Sequence, residues 1–282
     1  MNLCQKRQEI EVVVADVKEK GKTIGFVPTM GALHVGHLSL IKKSLAENDY
    51  TIVSIFVNPT QFNNPDDLQN YPRTLTTDME LLATLDKDII VFAPDSKELY
   101  QDKVTSFKYD FGNLATQMEG RFRPGHFEGV ATVLQLFFKL ILPDKAYFGE
   151  KDFQQLIIIK KLVALKNLSV TIIGCPIYRE ASGLAYSSRN SRLTPVQKKE
   201  AAFIYQVLIE VKAKFGIKSA LEISEWVQKQ FEKNQYLSLE YFQLCDTETL
   251  QPVSHIAENK KYRAFIAAYA GEVRLIDNMA LN

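Results

Sequence analysis

The chain has 282 residues, 46% of them hydrophobic and 24% charged, the make-up of a globular protein with room for one large domain or two ordinary ones. Its formal net charge of +1 supplies no general attraction to nucleic acid or an anionic membrane, so affinity for phosphate must come from a local site. Cys4, Cys175 and Cys245 are far apart, odd in number and outside any Cys-x-x-Cys spacing, which gives neither a disulfide framework nor a zinc site and fits reduced thiols.

Taken from the start, the first twenty residues lack the long apolar run and cleavage site of a secretory signal. No later stretch reaches the ~18 uninterrupted apolar residues of a membrane span, so the expectation is a cytoplasmic protein. Residues 23–27 and 51–57 are short β-branched and aromatic runs ending at turn residues, Pro28 and Asn58-Pro59. Runs this apolar suit a parallel sheet covered on both faces. Between them Leu38, Leu40, Ile41 and Leu45 keep roughly helical spacing, then 75–85 reads as a helix and 88–92 as a buried strand. Helix 128–141, stopped by Pro143, precedes strand 146–148; helix 152–165 precedes strand 169–173. Repeated strand-then-helix units predict an α/β, doubly wound parallel sheet with its ligand-binding loops along one edge. Past Gly174-Cys175-Pro176 the order changes. Segments 195–214 and 219–233 read as helices, and 238–244, 263–269 and 273–276 as strands with no helices between them. The division is therefore 1–177 for the parallel-sheet domain and 178–282 for a smaller α+β domain.

The strongest motif follows the first predicted strand: Pro28-Thr29-Met30-Gly31-Ala32-Leu33-His34-Val35-Gly36-His37. Unpaired N–H groups at the start of a helix carry partial positive charge and attract phosphate. Gly31 and Gly36 permit tight turns and close ligand approach. His34 and His37, three residues apart, share one face of a nascent helical turn, where two imidazoles can stabilise charge on a departing phosphate. An isolated His-x-Gly-His is equally at home as a helix cap beside a surface histidine. A metal pair fits less well, since His126 and His255 lie in other contexts.

Other segments are ambiguous one at a time. Gln61, in Asn58-Pro59-Thr60-Gln61-Phe62, either hydrogen-bonds a hydroxy acid or tips a Pro-containing turn. Tyr71-Pro72-Arg73 presents a phenol and a guanidinium or merely starts a helix. The segment Gly120-Arg121-Phe122-Arg123-Pro124-Gly125-His126-Phe127-Glu128-Gly129-Val130, with its glycines and basic residues, can be a loop that meets anions or one that is simply solvated. Gly149-Glu150-Lys151-Asp152 opens a helix after a short strand, with Lys151 a point charge for phosphate and Asp152 a candidate N-cap. Ser187-Ser188-Arg189-Asn190 is either an interdomain clamp on a triphosphate or a turn.

His-x-Gly-His at the first strand–helix turn resembles the signature of the nucleotidylyltransferase superfamily. The whole set of motifs in this order, from residue 23 to Arg274-Leu275-Ile276-Asp277-Asn278, resembles the pantothenate synthetases. That resemblance implies a Rossmann-like domain with a smaller domain closing over the nucleotide, and ATP-dependent condensation of pantoate with β-alanine through a pantoyl adenylate. By the same resemblance residues 28–37 form the ATP segment, with His37 as catalytic acid and His34 its partner on the phosphates. Gln61 and Gln155 hold pantoate, and Gln61 also helps receive β-alanine. Gly149, Glu150, Lys151 and Asp152, with Tyr186, Ser187, Ser188 and Arg189, complete the ATP site, and Tyr178 lies along the adenine. Mg²⁺ on the phosphates, without a protein cage, and a homodimer are also implied. The family's usual Asp and apolar residue are replaced here by Ser182 and Tyr186. Two rivals remain: a nucleotidyl transferase that stops after moving AMP or CMP, and a non-catalytic nucleotide sensor. A tRNA-charging enzyme is disfavoured because residues 178–282 are not notably basic.

Overall fold

The computed structural model describes residues 1–85, 88–253 and 255–282. In chain order the first unit contains β1 (Asn2–Cys4), α1 (Arg7–Glu19), β2 (Ile24–Thr29), α2 (Val35–Glu47), β3 (Tyr50–Ile55), α3 (Pro65–Gln69) and α4 (Leu75–Ala83). It continues with β4 (Ile89–Phe92), α5 (Ser96–Tyr100), α6 (Glu119–Phe122), α7 (His126–Ile141), β5 (Lys145–Gly149), α8 (Phe153–Leu165) and β6 (Thr171–Cys175). The strands form one six-stranded sheet in the order β1-β4-β3-β2-β5-β6, every pair parallel. From β2 the chain steps outward through β3 to β4, then returns to lay β5 on the other side of β2. The strand order thus reverses between β2 and β5, and a crevice opens beyond their carboxyl ends.

Alternation along the strands fills both faces. Phe26, Ile52 and Phe92 face one way, against α7 and α1; Val27, Val53 and Val91 face the other, against α2 and α4. α7 is buried along nearly its whole length, with Phe137 packed edge-on against Phe56 and Phe92. This two-sided burial is why the strands read as continuous apolar runs.

Three expectations needed revision. β1 and α1 were not anticipated: β1 has only three residues, and the Val12-Val13-Val14 run obscures a helix whose buried positions are Ile10, Val14 and Val17. The helix expected over 195–214 is broken at Ala202 into α9 (Pro195–Ala201) and α10 (Phe203–Lys214). Tyr205, just after the break, fills the space over Gly183, where an added Cβ would lie 2.1 Å from its ring. The final strand is also longer than expected, reaching Ala280 and so carrying Asp277 and Asn278.

The second unit packs α10 and α11 (Ala220–Glu232) on an antiparallel sheet of β7 (Leu237–Asp246), β8 (Tyr262–Ala270) and β9 (Val273–Ala280). It is joined to the first by polar contacts and by an apolar cluster in which Met118 and Phe153 meet Cys245, Leu250 and Phe265. Arg274 on β9 makes a two-pronged pair with Glu119 of α6 and also holds Glu240, while the Tyr241 hydroxyl donates to Glu119. On the second unit's own side of this junction, Arg179 grips Asp277 with both terminal nitrogens, at 2.6 and 2.9 Å.

Candidate active site

Beyond the ends of β2 and β5 lies a cleft of about 250 Å³, bounded by the first turn of α2, the Pro59–Gln61 turn, α7, the start of α8 and the 176–189 segment. Immediately after β2 the backbone takes left-handed values at Gly31 and Ala32. This bend aims the N–H groups of Ala32 and Leu33 at the buried carboxylate of Asp78 on α4, at 3.1 and 2.7 Å. Those amides are therefore engaged by protein and not open to phosphate. Gly31, Ala32, Leu33 and Val35 do not line the cleft, whereas Pro28, Thr29, Met30, His34, Gly36 and His37 do.

His34 caps α2, and its N–H donates to Nδ1 of His37 at 3.3 Å. That bond leaves Nε2 of a neutral His37 ring as the N–H donor. The two rings stack, and Tyr186 lies against His34 at 5.7 Å between ring centres. Burial, with Lys151 nearby, brings His34 down to about 4; burial, with His34 and Lys151, holds His37 well below the usual imidazole value. Both rings are therefore neutral at pH 7 in this state. Gly36 makes room for the arrangement, since a Cβ there would meet the His34 ring at 3.0 Å and Tyr186 Cβ at 3.3 Å.

Gln61 is buried and fixed from both ends. Its Oε1 accepts from Asn58 at 3.0 Å and its Nε2 lies 3.1 Å from the Met30 sulfur. Asn58 is locked in turn by donation to the Gly129 carbonyl and by the Tyr100 hydroxyl donating to its Oδ1. Buried His126 faces the Gln61 carbonyl through Nδ1 at 2.9 Å, and burial beside Arg123 lowers it to about 3. α7 can approach this closely only because residue 129 is glycine: a Cβ there would stand 2.3 Å from the Thr60 carbonyl oxygen.

After β5, a 3₁₀ turn (Glu150–Asp152) leads into α8. Gly149, Lys151, Asp152 and Gln155 face the cleft, while Glu150 turns away to pair with Arg263 at 3.0 Å. Asp152 holds the N-cap position without a side-chain capping bond, which removes the simple capping explanation. Neighbouring Gln154 and Gln155 divide the work: Gln154 is buried and pins the Glu119 N–H and the Leu114 and Gln117 carbonyls, and Gln155 lines the cleft.

The far wall is the 176–189 segment. Tyr178 and Tyr186 are held together by a backbone bond of 3.0 Å and by their rings. The Ser188 hydroxyl donates to the Ala32 carbonyl, tying this segment to the histidine turn. Arg189 pairs with Asp67 of α3 at 2.9 Å, with Arg192 on the other carboxylate oxygen. A second cavity of about 440 Å³ adjoins the first, and Arg123, Lys151, Asp152, Ser187 and Arg189 line both. The cationic groups gathered at that junction suit a polyphosphate.

Sequence reasoning gave no role to Asn58 and left Tyr71, Arg123 and His126 in segments open to two readings; all four line the cleft. Arg123 carried a signal in its glycine- and arginine-rich segment. His126 lay in the same segment, but its contact with Gln61 was not legible, because it depends on the docking of α7.

Comparison with known proteins agrees with this geometry. Residues 2–280 match the family model for pantoate-beta-alanine ligase. The pantothenate synthetase of Christiangramia forsetii is 55% identical over the full length of both chains, and that of Flavobacterium psychrophilum 50%. Among solved structures, pantothenate synthetase from Thermus thermophilus superposes with a TM-score of 0.91 at 36% identity, covering 100% of this chain and 99% of the other. Pantoate-beta-alanine ligase from Francisella tularensis, complexed with beta-gamma ATP and beta-alanine, gives 0.82 at 39%, covering 100% and 98%. With matches of this extent, the chain belongs to the pantoate–β-alanine ligase family.

Proposed function

We propose that the cleft joins pantoate to β-alanine in two half-reactions. The chain is an ATP-dependent ligase of pantothenate synthesis, by its membership of the family. In the first step the pantoate carboxylate attacks the α-phosphorus of ATP, forming the mixed anhydride and expelling pyrophosphate. In the second, the amine of β-alanine attacks the acyl carbon, loses a proton, and AMP departs with the electron pair of the broken C–O bond. The protein's task is chiefly to hold two anions together against their repulsion and to stabilise charge on the leaving phosphates.

In this reading Gln61 and Gln155 hold pantoate, and the apolar wall of Val130, Val133, Leu134 and Phe137 takes its carbon skeleton. Gln61, already oriented by Asn58, also receives the amine. His37 presents Nε2–H to the phosphates as a neutral donor, with His34 beside it. The acid role implied by resemblance would then require a proton recruited with the nucleotide, since a polyphosphate favours imidazolium. Lys151 and Arg189 neutralise phosphate charge, Arg189 after exchanging Asp67 for the nucleotide. Tyr178 and Tyr186 cover the adenine. No group of three or more His, Cys, Asp or Glu side chains among the described residues forms a cation cage, so Mg²⁺ would enter as the MgATP substrate and keep waters.

The division at residues 177 and 178, closure of the smaller domain over ATP, a homodimer and a cytoplasmic location complete the proposal. No helix among the described residues is long and apolar enough to cross a membrane. The observation that carries the reading is convergence of the paired histidines, Gln61, Gln155 and Lys151 on one cleft at the sheet's switch point. The test is product analysis with MgATP, pantoate and β-alanine, together with exchange of labelled pyrophosphate into ATP. Pantothenate, AMP and pyrophosphate are expected, with exchange supported by pantoate alone. ADP and phosphate, or exchange that strictly needs β-alanine, would refute the adenylate route.

A further inference from the structure

Asn278, on the last strand of the smaller domain, reaches into the turn that carries Lys151. Its side-chain amide donates to the carbonyl of Glu150 at 2.9 Å and to that of Lys151 at 2.8 Å. Its Oδ1 accepts from the Arg263 guanidinium on the neighbouring strand. Arg263 offers donors alone, so the amide has one possible orientation, with the NH₂ group on the carbonyls. Asn278 is only 2% exposed, and the Arg263 guanidinium is stacked 3.9 Å from the Phe153 ring at the start of α8 while its other arm holds Glu150. Next along the strand, Asp277 is taken up by Arg179 of the 176–189 segment. Two consecutive residues of β9 thereby brace two walls of the cleft, one of which, the turn that carries Lys151, belongs to the other domain.

We infer that Asn278 is a positioning residue for Lys151, setting the backbone from which the ammonium reaches the phosphates, so that the smaller domain takes part in adenylate formation through this contact. The inference rests on Lys151 serving the phosphates, as proposed above. Lys151 has no carboxylate nearer than Asp152 at 3.9 Å among the described residues, so no tight ion pair anchors its side chain. Its placement therefore depends on the backbone beneath it. The 3₁₀ turn from Glu150 to Asp152 is a single turn, and the amide of Asn278 holds carbonyls of two of its residues. A neutral amide is required: it alone gives two donors to the carbonyls and an acceptor to Arg263. Aspartate has the same shape but no donor, and it would set a carboxylate against two carbonyl oxygens.

The test is a double-mutant cycle on the full-length enzyme, reading the rate of adenylate formation at saturating MgATP and pantoate, with thermal melting in parallel. Asn278→Ala and Asn278→Asp should each slow that step at least tenfold in protein still folded at the assay temperature. The KM for β-alanine should change less than threefold. Lys151→Ala should be slower still, and Asn278→Ala combined with Lys151→Ala should be no slower than Lys151→Ala alone. A normal rate for Asn278→Ala beside a crippled Lys151→Ala would overturn the inference and leave the role of Lys151 standing. An active Lys151→Ala would overturn both. Additive losses, or a normal rate accompanied only by a lower melting temperature, would make Asn278 a structural residue and refute the inference. Should the alanine variant be unfolded at the assay temperature, Asn278→Asp, which keeps the Arg263 partner, decides on the same criteria.

Discussion

The imidazole rings of His34 and His37 stack 4.0 Å apart between centres, at an interplanar angle of 26°. One backbone N–H, that of His34, fixes the tautomer of His37. A variant that keeps a donor near the Nε2 position should therefore retain more activity than one that removes it. His37→Ala is expected to lower kcat by roughly a hundredfold or more, as for loss of a transition-state donor. His37→Gln, whose amide can place an N–H near that position, should recover about tenfold of the loss. Steady-state kinetics on the two variants measure this, and a fully active His37→Ala would return the residue to helix capping.

The same burial makes stability depend on pH. His34 at about 4 and His126 at about 3 lie below the ordinary 6.5, and His37 is depressed as well. Between pH 6.5 and 4 the unfolded chain binds protons that the folded chain does not, so stability rises with pH there and is lost as pH falls. Chemical denaturation at pH 7, 6 and 5 should show a steady decline, with net proton uptake of more than one per molecule on unfolding near pH 5. A flat profile across this window would show that the rings protonate freely in the fold.

Gly129→Ala should combine a stability loss with a substrate effect. The new Cβ collides with backbone rather than with a flexible side chain, so α7 and the Pro59–Gln61 turn must separate. Overpacking of this kind costs ~1–3 kcal/mol. Because Gln61 rides on that turn, the KM for pantoate should rise severalfold as well. Unfolding curves and pantoate saturation kinetics check the two halves, and a stable variant with an unchanged KM would count against them.

Tyr186 and Arg189 should behave differently although three residues apart. Tyr186 joins the site by its backbone bond to Tyr178 and by its ring on His34, tasks that do not need the phenol. Tyr186→Met should leave kcat nearly unchanged, with any effect in the KM for ATP. Arg189→Ala should lose at least tenfold in kcat/KM for ATP, since a charge-assisted contact contributes ~1.5–3 kcal/mol. A crippled Tyr186→Met beside a near-normal Arg189→Ala would mean that the phenol does chemistry here.

The homodimer expected from the family should give a light-scattering mass near twice the 32.1 kDa of the chain at micromolar concentration. A monomer mass would exclude it under those conditions.

Local pattern made much of this molecule legible. Strand and helix periods revealed the alternating order of the first domain and the change of pattern after Pro176, because a sheet covered on both faces demands apolar runs and a one-sided helix demands spaced ones. The His34 and His37 pair was legible because a short-range turn builds it. Placement of Gly149, Lys151 and Gln155 in the cleft was expected on resemblance to the family, and the structure sets them against the histidine turn. What the sequence could not show depends on contacts across long separations. The use of the Ala32 and Leu33 amides by Asp78, the hold of His126 on the Gln61 carbonyl, and the pairing of Glu150 with Arg263 all require packed elements. So does the grip of Asn278 on the Lys151 turn, across 127 positions of chain. Periodicity reports which face of an element is buried, whereas a hydrogen bond between elements is decided by ångström-scale docking, which only the tertiary structure contains.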